Sequence, residues 1–268
     1  MRVKPFSYLE QLDKVAPAPP AGLPQQGNIL LHYEDPNTNV SGTTWSDIST
    51  LGVTTGILGN GASVDATSNS LQLNNGTGSR NQYLRVTTTQ NIDIKSLVVV
   101  HNTWQNSAAT GTARQYFWDM RKSGNTNGGY FNQYDSVATG TNDLFANNGE
   151  YYSYDETDGV MLSAQLTTPT NLTSGLNNIT GGSATDQWMG PNGRVAYLPK
   201  RMWLFNFNTN TTLGLYTSGV RGLVFGTNDN LGEGSALGYF SIVGWSVTLS
   251  ASEATDVLNY YKSQGILT

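Results

Sequence analysis

The chain has 268 residues, a net charge of −5, no cysteine and only 12% charged residues, its polar character coming instead from Gly, Asn, Thr and Ser. That length suits one large domain plus an extension, stable without disulfides or thiolate-bound metal. The acidic balance and the isolated basic pairs Arg121-Lys122 and Lys200-Arg201 argue against nucleic acid, and no run of eighteen apolar residues offers a membrane helix.

Residues 1–27 read as a separate unit. Met1 to Lys14 mixes charges with Phe6, Tyr8, Leu9 and Leu12, and Ser7 is placed to cap one or two helical turns. Ala16-Pro-Ala-Pro-Pro-Ala-Gly-Leu-Pro24 then reads as a stiff polyproline-like strap. A small amphipathic tip on a stiff strap predicts a docking arm, with Arg2, Lys4, Phe6, Tyr8, Leu9 and Leu12 as its partner contacts. Ser7, Glu10 and Gln11 interrupt what a signal peptide would need as an apolar core. The chain is therefore expected to stay in the cytoplasm that makes it, unless it leaves in an assembled particle.

From Asn28 the pattern is strand, turn, strand. Ile29–Tyr33 reads as a strand, Glu34–Gly42 as a turn-rich loop, and Thr44-Trp-Ser-Asp-Ile-Ser49 as the next motif. Further strands are predicted over 70–73, 82–86, 97–102, 115–121, 129–134, 151–155, 160–166, 194–198, 201–207, 212–217, 222–227 and 239–249. Asn75-Gly, Asn127-Gly-Gly, Asn148-Gly, Asp158-Gly and Asn192-Gly supply turn chemistry between them. The segments 103–114 and 167–183 carry the least pattern and read as long surface loops. In the closing stretch, Tyr239–Leu249 alternates like a strand, after which Ser250 or Ser252 starts a helix. Glu253 is the capping-box partner, and Ala254, Val257, Leu258 and Tyr261 recur at helical spacing. Many short strands at near-regular spacing predict an all-β sandwich.

Two end motifs narrow this. A hydrophobic first strand running into Asp35-Pro36, followed by Trp45-x-Asp47-x-Ser49, opens the domain. A last strand closed by one short capped helix ends it. Across Asn28 to Lys262 the chain resembles concanavalin A-like, laminin-G-like jelly rolls, and in texture the lectin-like domains of phage and large-virus structural proteins. The resemblance implies an antiparallel two-sheet jelly-roll sandwich over residues 28–268, with a short C-terminal helix and the extended arm of residues 1–27.

Glucanases share that fold and would place two Glu and one Asp at alternate positions of one strand. Glu150, Glu156 and Asp158 share parity, but six residues of strand span about 20 Å, too far for an acid and nucleophile pair. His32 and His101 sit inside strand patterns as packed residues, and no G-x-S-x-G elbow is present. Calcium would find oxygens only in the turns Asp155–Gly159 and Asn142-Asp143, neither of which matches a calcium loop, so no cofactor is expected. The glycosylation triplets at Asn39, Asn75, Asn171, Asn178 and Asn210 are what chance supplies in so Asn- and Thr-rich a chain.

A sugar site needs an aromatic platform flanked by amides and carboxylates. Asp186-Gln-Trp-Met-Gly-Pro-Asn192 supplies Trp188 for stacking with Asp186, Gln187 and Asn192 as hydrogen-bonding groups. Tyr152 and Tyr154 share a strand face and form a second aromatic group. The competing reading makes Trp188 a core cap and the tyrosines cross-strand pairs. Trp45, Trp104, Trp118, Trp203 and Trp245 read as core. The resulting expectation is a non-enzymatic virion exterior protein (decoration, fibre or minor capsid component) anchored to other virion proteins through its arm, with glycan contact and self-association left open. A free carbohydrate-binding module is the alternative, and a glycoside hydrolase the third.

Overall fold

The computed structural model describes residues 22–73, 81–90, 92–103, 114–119, 130–134, 142–145, 149–156, 159–166, 170–171, 200–207, 213–215, 223–226 and 237–268. After a 3-10 turn at Gln26–Asn28 come β1 (Ile29–Glu34), the single helical turn α1 (Pro36–Asn39), β2 (Val40–Ser41), β3 (Thr44–Ser46), β4 (Thr54–Gly59), β5 (Ser63–Asp65) and β6 (Ser70–Leu73). Next are β7 (Tyr83–Thr88), β8 (Ile92–Ile94), β9 (Ser96–Thr103), β10 (Arg114–Asp119), β11 (Tyr130–Tyr134), β12 (Asn142–Phe145) and β13 (Gly149–Asp155). The chain closes through β14 (Met161–Leu166), β15 (Thr170–Asn171), β16 (Arg201–Phe207), β17 (Leu213–Leu215), β18 (Val224–Phe225), β19 (Leu237–Trp245) and the helix α2 (Ala251–Ser263).

These strands form two antiparallel sheets and a small ribbon. The helix-side sheet has eight strands in the order β14-β13-β16-β9-β19-β6-β5, with β1 also on β19. The far sheet has nine, in the order β15-β12-β11-β10-β18-β7-β4-β3-β2, and β8 pairs with β17 separately. The all-β sandwich expected from the strand count is therefore present, with the first strand and the last lying side by side in register from Ile29 opposite Trp245 to Glu34 opposite Ser241.

Alternation assigns the layers. Leu97, Val99, Trp203, Phe205, Tyr151 and Ile242 face the far sheet's Trp45, Leu58, Leu84, Trp118 and Phe225 in the inter-sheet core. Their sequence neighbours Val98, Val100, Met202, Leu204, Tyr152, Tyr154 and Val243 point the other way, into a second cluster with Ala254, Val257, Leu258 and Tyr261 of α2. A helix-side sheet apolar on both faces thus becomes the middle of three layers. A register shift in β19 between Tyr239 and Ser241 places Phe240 and Ser241 both on the helix side.

The C-terminal helix starts where its capping signals put it. Ser250 Oγ accepts from the Glu253 amide while the Glu253 carboxylate accepts from the Ser250 amide. The four residues read at helical spacing are the ones buried, each large one contributing about 2 kcal/mol of apolar burial.

Several strands were not legible. Thr54-Thr-Gly-Ile-Leu-Gly59 hides β4 behind two glycines, each filling a place that a side chain would obstruct. A Cβ on Gly56 would fall 2.9 Å from Leu84 Cδ1, and one on Gly59 2.1 Å from Tyr83 Cζ. The short β5, β8 and β12 carry too few residues to show alternation, and β15 lies inside the segment read as the 167–183 loop. The loop expected over Glu34–Gly42 contains α1 and β2. The predicted strand over 194–198 and the core assignment of Trp104 fall outside the described residues.

Candidate functional site

The root of the N-terminal arm forms a polar junction on the helix side. Leu23 is buried within the cluster that contains Trp245, Leu249 and the α2 core residues. Pro24 O accepts from Trp245 Nε1 at 3.0 Å, and Gln25 Nε2 donates to Glu253 Oε1 at 2.6 Å. Asn28 O then accepts from the Ser246 amide at 2.9 Å, where β1 takes up its pairing with β19. Glu253 therefore caps the helix with one oxygen and holds the strap with the other. The Ser250 amide, followed by Gln25, keeps its carboxyl below the usual carboxylate range.

These contacts join the end of the strap to the domain across the boundary drawn at residue 27. The strap's last residues, from Gly22 onward, belong to the sandwich, because Leu23 gains more from burial than a free strap could offer. The docking residues Arg2, Lys4, Phe6, Tyr8, Leu9 and Leu12 lie outside the described residues, as do Asp186, Gln187, Trp188 and Asn192.

Tyr152 and Tyr154 do share a face, but it is the one beneath α2. They are 4% and 3% exposed, so neither ring is open to stack on a sugar. Tyr154 Oη donates to Thr268 O at 2.6 Å, with Lys262 Nζ 4.6 Å from its ring centroid. Burial, reinforced by Glu150, pushes the Tyr152 phenol above its ordinary range. Both are core residues of the helix layer, which corrects their assignment to a glycan platform. The reason is that alternation fixes the shared face but does not say which face the helix covers.

Carboxylates near the strand ends are engaged in holding backbone and hydroxyl donors. Glu34 Oε2 accepts from Ser241 Oγ at 3.1 Å and lies 3.3 Å from His32 Nε2, while Glu34 Oε1 accepts from Tyr260 Oη at 2.8 Å. Ser241 Oγ also meets Tyr261 Oη at 2.9 Å, so β1, β19 and α2 are joined through one buried network. Burial first, and Glu34 second, raise both phenols, Tyr260 and Tyr261. Asp47 of the Trp-x-Asp-x-Ser motif accepts from the His32 amide at 2.9 Å, the Ser49 amide at 2.8 Å and the Thr54 hydroxyl. That motif is a staple between β1 and β4, with Trp45 buried beside it.

Glu156 is equally committed, accepting from the Lys200 amide at 3.1 Å and the Thr268 amide at 2.9 Å. His101 is buried in the interior between its register partners Arg201 and Tyr239. Burial, with Arg201 adding to it, pushes its imidazole down to about 3. Among the described residues no three His, Asp or Glu side chains are grouped to hold a metal ion.

No protein-family model matches this chain, and no curated protein does. Among solved structures it is similar to the binding domain of botulinum neurotoxin serotype D, at 12% identity and a TM-score of 0.46, covering 89% of this chain and 51% of that one. It is also similar to Trypanosoma rangeli sialidase in complex with sialic acid, at 10% identity and a TM-score of 0.39, covering 88% of this chain and 33% of that one. The chain thus spans about half of the first structure and a third of the second. Likeness at this level carries no functional argument.

Proposed function

We propose that this protein is a non-enzymatic virion component, a decoration, fibre or minor capsid protein that displays its sandwich on the particle exterior. Its arm, residues 1–21, docks into a neighbouring virion protein through Arg2, Lys4, Phe6, Tyr8, Leu9 and Leu12. The seated root carries this reading: Leu23, Pro24 and Gln25 are pinned to Trp245 and Glu253, which fixes the point where the arm leaves the domain. A short segment binds by laying aromatic and aliphatic side chains into a neighbour's groove. A fixed starting point lowers the entropy cost of doing so, and many copies on one particle act together.

Deletion of residues 1–21, with Gly22–Asn28 retained, is the test. The truncated chain is expected to fold with unchanged stability and to lose incorporation into particles. Normal incorporation would end the proposal, as would failure of the full chain to co-purify with particles from its source.

The second reading is a free carbohydrate-binding module. The observation in its favour is a far-sheet face with no described helix across it. It retains Asp186, Gln187, Trp188 and Asn192 and dispenses with the arm. Saturable glycan binding that is lost on Trp188→Ala but survives arm deletion would select it.

A further inference from the structure

The outward face of the far sheet carries a row of cross-strand neighbours that ends in a tyrosine–arginine pair. Cross-strand pairing sets Thr44, Ile57, Arg85, Val224 and Asp119 in one row, contributed by β3, β4, β7, β18 and β10. Their sequence neighbours Trp45, Leu58, Leu84, Phe225 and Trp118 fill the inter-sheet core, so the row faces away from it. Tyr83 and Gly59 pair two residues along on the same face.

The row changes character along its length. Val224 and Asp119 are 1% and 0% exposed, whereas Thr44, Ile57 and Arg85 are half-buried and Ser46 beside them is exposed. Arg85 therefore stands at the step between a closed half and an open half.

Tyr83 leans across Gly59, where any Cβ would collide with its ring. The Arg85 guanidinium carbon lies 5.1 Å from that ring's centroid, a cation–π arrangement that holds the fork in place. Arg85 Nε is buried, and among the described residues it meets no acceptor and no carboxylate forms an ion pair with the guanidinium. Native proteins seldom keep a desolvated donor without a partner, and a guanidinium presents donors in the geometry of a carboxylate.

We propose that Tyr83 and Arg85, on the glycine shelf of β4, form a binding site for a carboxylated saccharide. The sugar's carboxylate takes the terminal Nη edge of the guanidinium, whose Nε stays buried. Its apolar face lies along Tyr83 and Ile57, and its hydroxyls meet the flanking Thr44, Ser46 and Thr55. A sugar ring matches this set because it has one apolar face and a hydroxyl edge. An acidic peptide would want a second cation, and none stands in this row. The site is separate from the arm and does not depend on it.

The test uses the full chain, titrated with sialyllactose and trigalacturonic acid, with lactose and maltotriose as neutral controls and hexaglutamate as the peptide control. At least one carboxylated saccharide is expected to bind with a Kd of about 1 mM or tighter, and its neutral control at least tenfold more weakly. Arg85→Gln and Tyr83→Ala should each weaken binding about tenfold or more, and Arg85→Lys, which keeps charge but loses the fork, by several-fold. Thermal melts of the variants confirm that they are folded. Equal binding of the neutral sugar, equal binding of hexaglutamate, unchanged affinity in Arg85→Gln, or no binding of either acidic saccharide would each overturn the proposal. Deletion of residues 1–21 should leave this binding intact, so failure here and failure of the anchoring role are separable.

Discussion

The two outward faces of the sandwich belong to different sheets, both of alternating strands, and are used in opposite ways. On the helix side, polar groups are paired off: Glu34 serves Ser241, Tyr260 and His32, and Glu253 serves Ser250 and Gln25. On the far side, Arg85 retains a buried donor with no acceptor among the described residues and rests on a tyrosine laid over glycine. A face whose hydrogen bonds are closed among themselves stabilises the fold, whereas one that keeps donors in reserve has capacity for a ligand. The helix makes the difference, because it covers one sheet and supplies the partners.

The comparison breaks most visibly at Trp245. Trp245→Ala removes a fully buried ring and the bond to Pro24 O, and should cost about 3–5 kcal/mol by chemical denaturation. A loss below about 1 kcal/mol would mean that the helix layer and strap contribute little. Glu34→Ala comes next, at about 1–3 kcal/mol, since it removes the acceptor that the Ser241 and Tyr260 hydroxyls share. Restoring most of that with Glu34→Gln, which still accepts, would sharpen the attribution to hydrogen bonding.

Acid probes the interior that both faces share. His101 is neutral when folded, with its pKa down at about 3, but in the unfolded chain it takes a proton near pH 6.5. Its folded pKa being lower, the unfolded state binds more protons, and stability falls as pH drops from about 6.5 toward 3. Between pH 7 and pH 5 the loss is about 2 kcal/mol, read as a lower urea midpoint. His101→Phe should flatten that slope, and an unchanged slope would assign it to other groups.

Smaller effects follow at the strap and the far face. Gln25→Ala removes one bond to Glu253 and should cost about 0.5–1 kcal/mol. Arg85→Gln should leave stability within about 1 kcal/mol of the parent, since the lost cation–π contact is offset by removal of a buried unpaired donor. A large destabilisation by Arg85→Gln would make Arg85 a structural residue and erase the contrast between the faces.

Much of the helix side was legible from local chemistry. The capping box at Ser250 and Glu253, the spacing of Ala254, Val257, Leu258 and Tyr261, and the alternation through β9, β16 and β19 each depend on a few consecutive residues. The segment 82–86 was legible as a strand, yet nothing local singled out Tyr83 and Arg85 within it. Leu23-Pro24-Gln25 looked like the end of a free strap because its partners, Trp245 and Glu253, lie more than two hundred residues away. Tyr152 and Tyr154 show the same blind spot from the other direction.

By itself, the sequence determined what periodicity and capping encode: the longer alternating strands, where the final helix begins, and which side chains share a face. Only the tertiary structure decided which of those faces α2 would cover, and so which tyrosines became core and which arginine kept an unpaired donor. The physical reason is that a strand's two faces are equivalent until another layer packs on one of them. That choice rests on contacts between segments far apart in the chain.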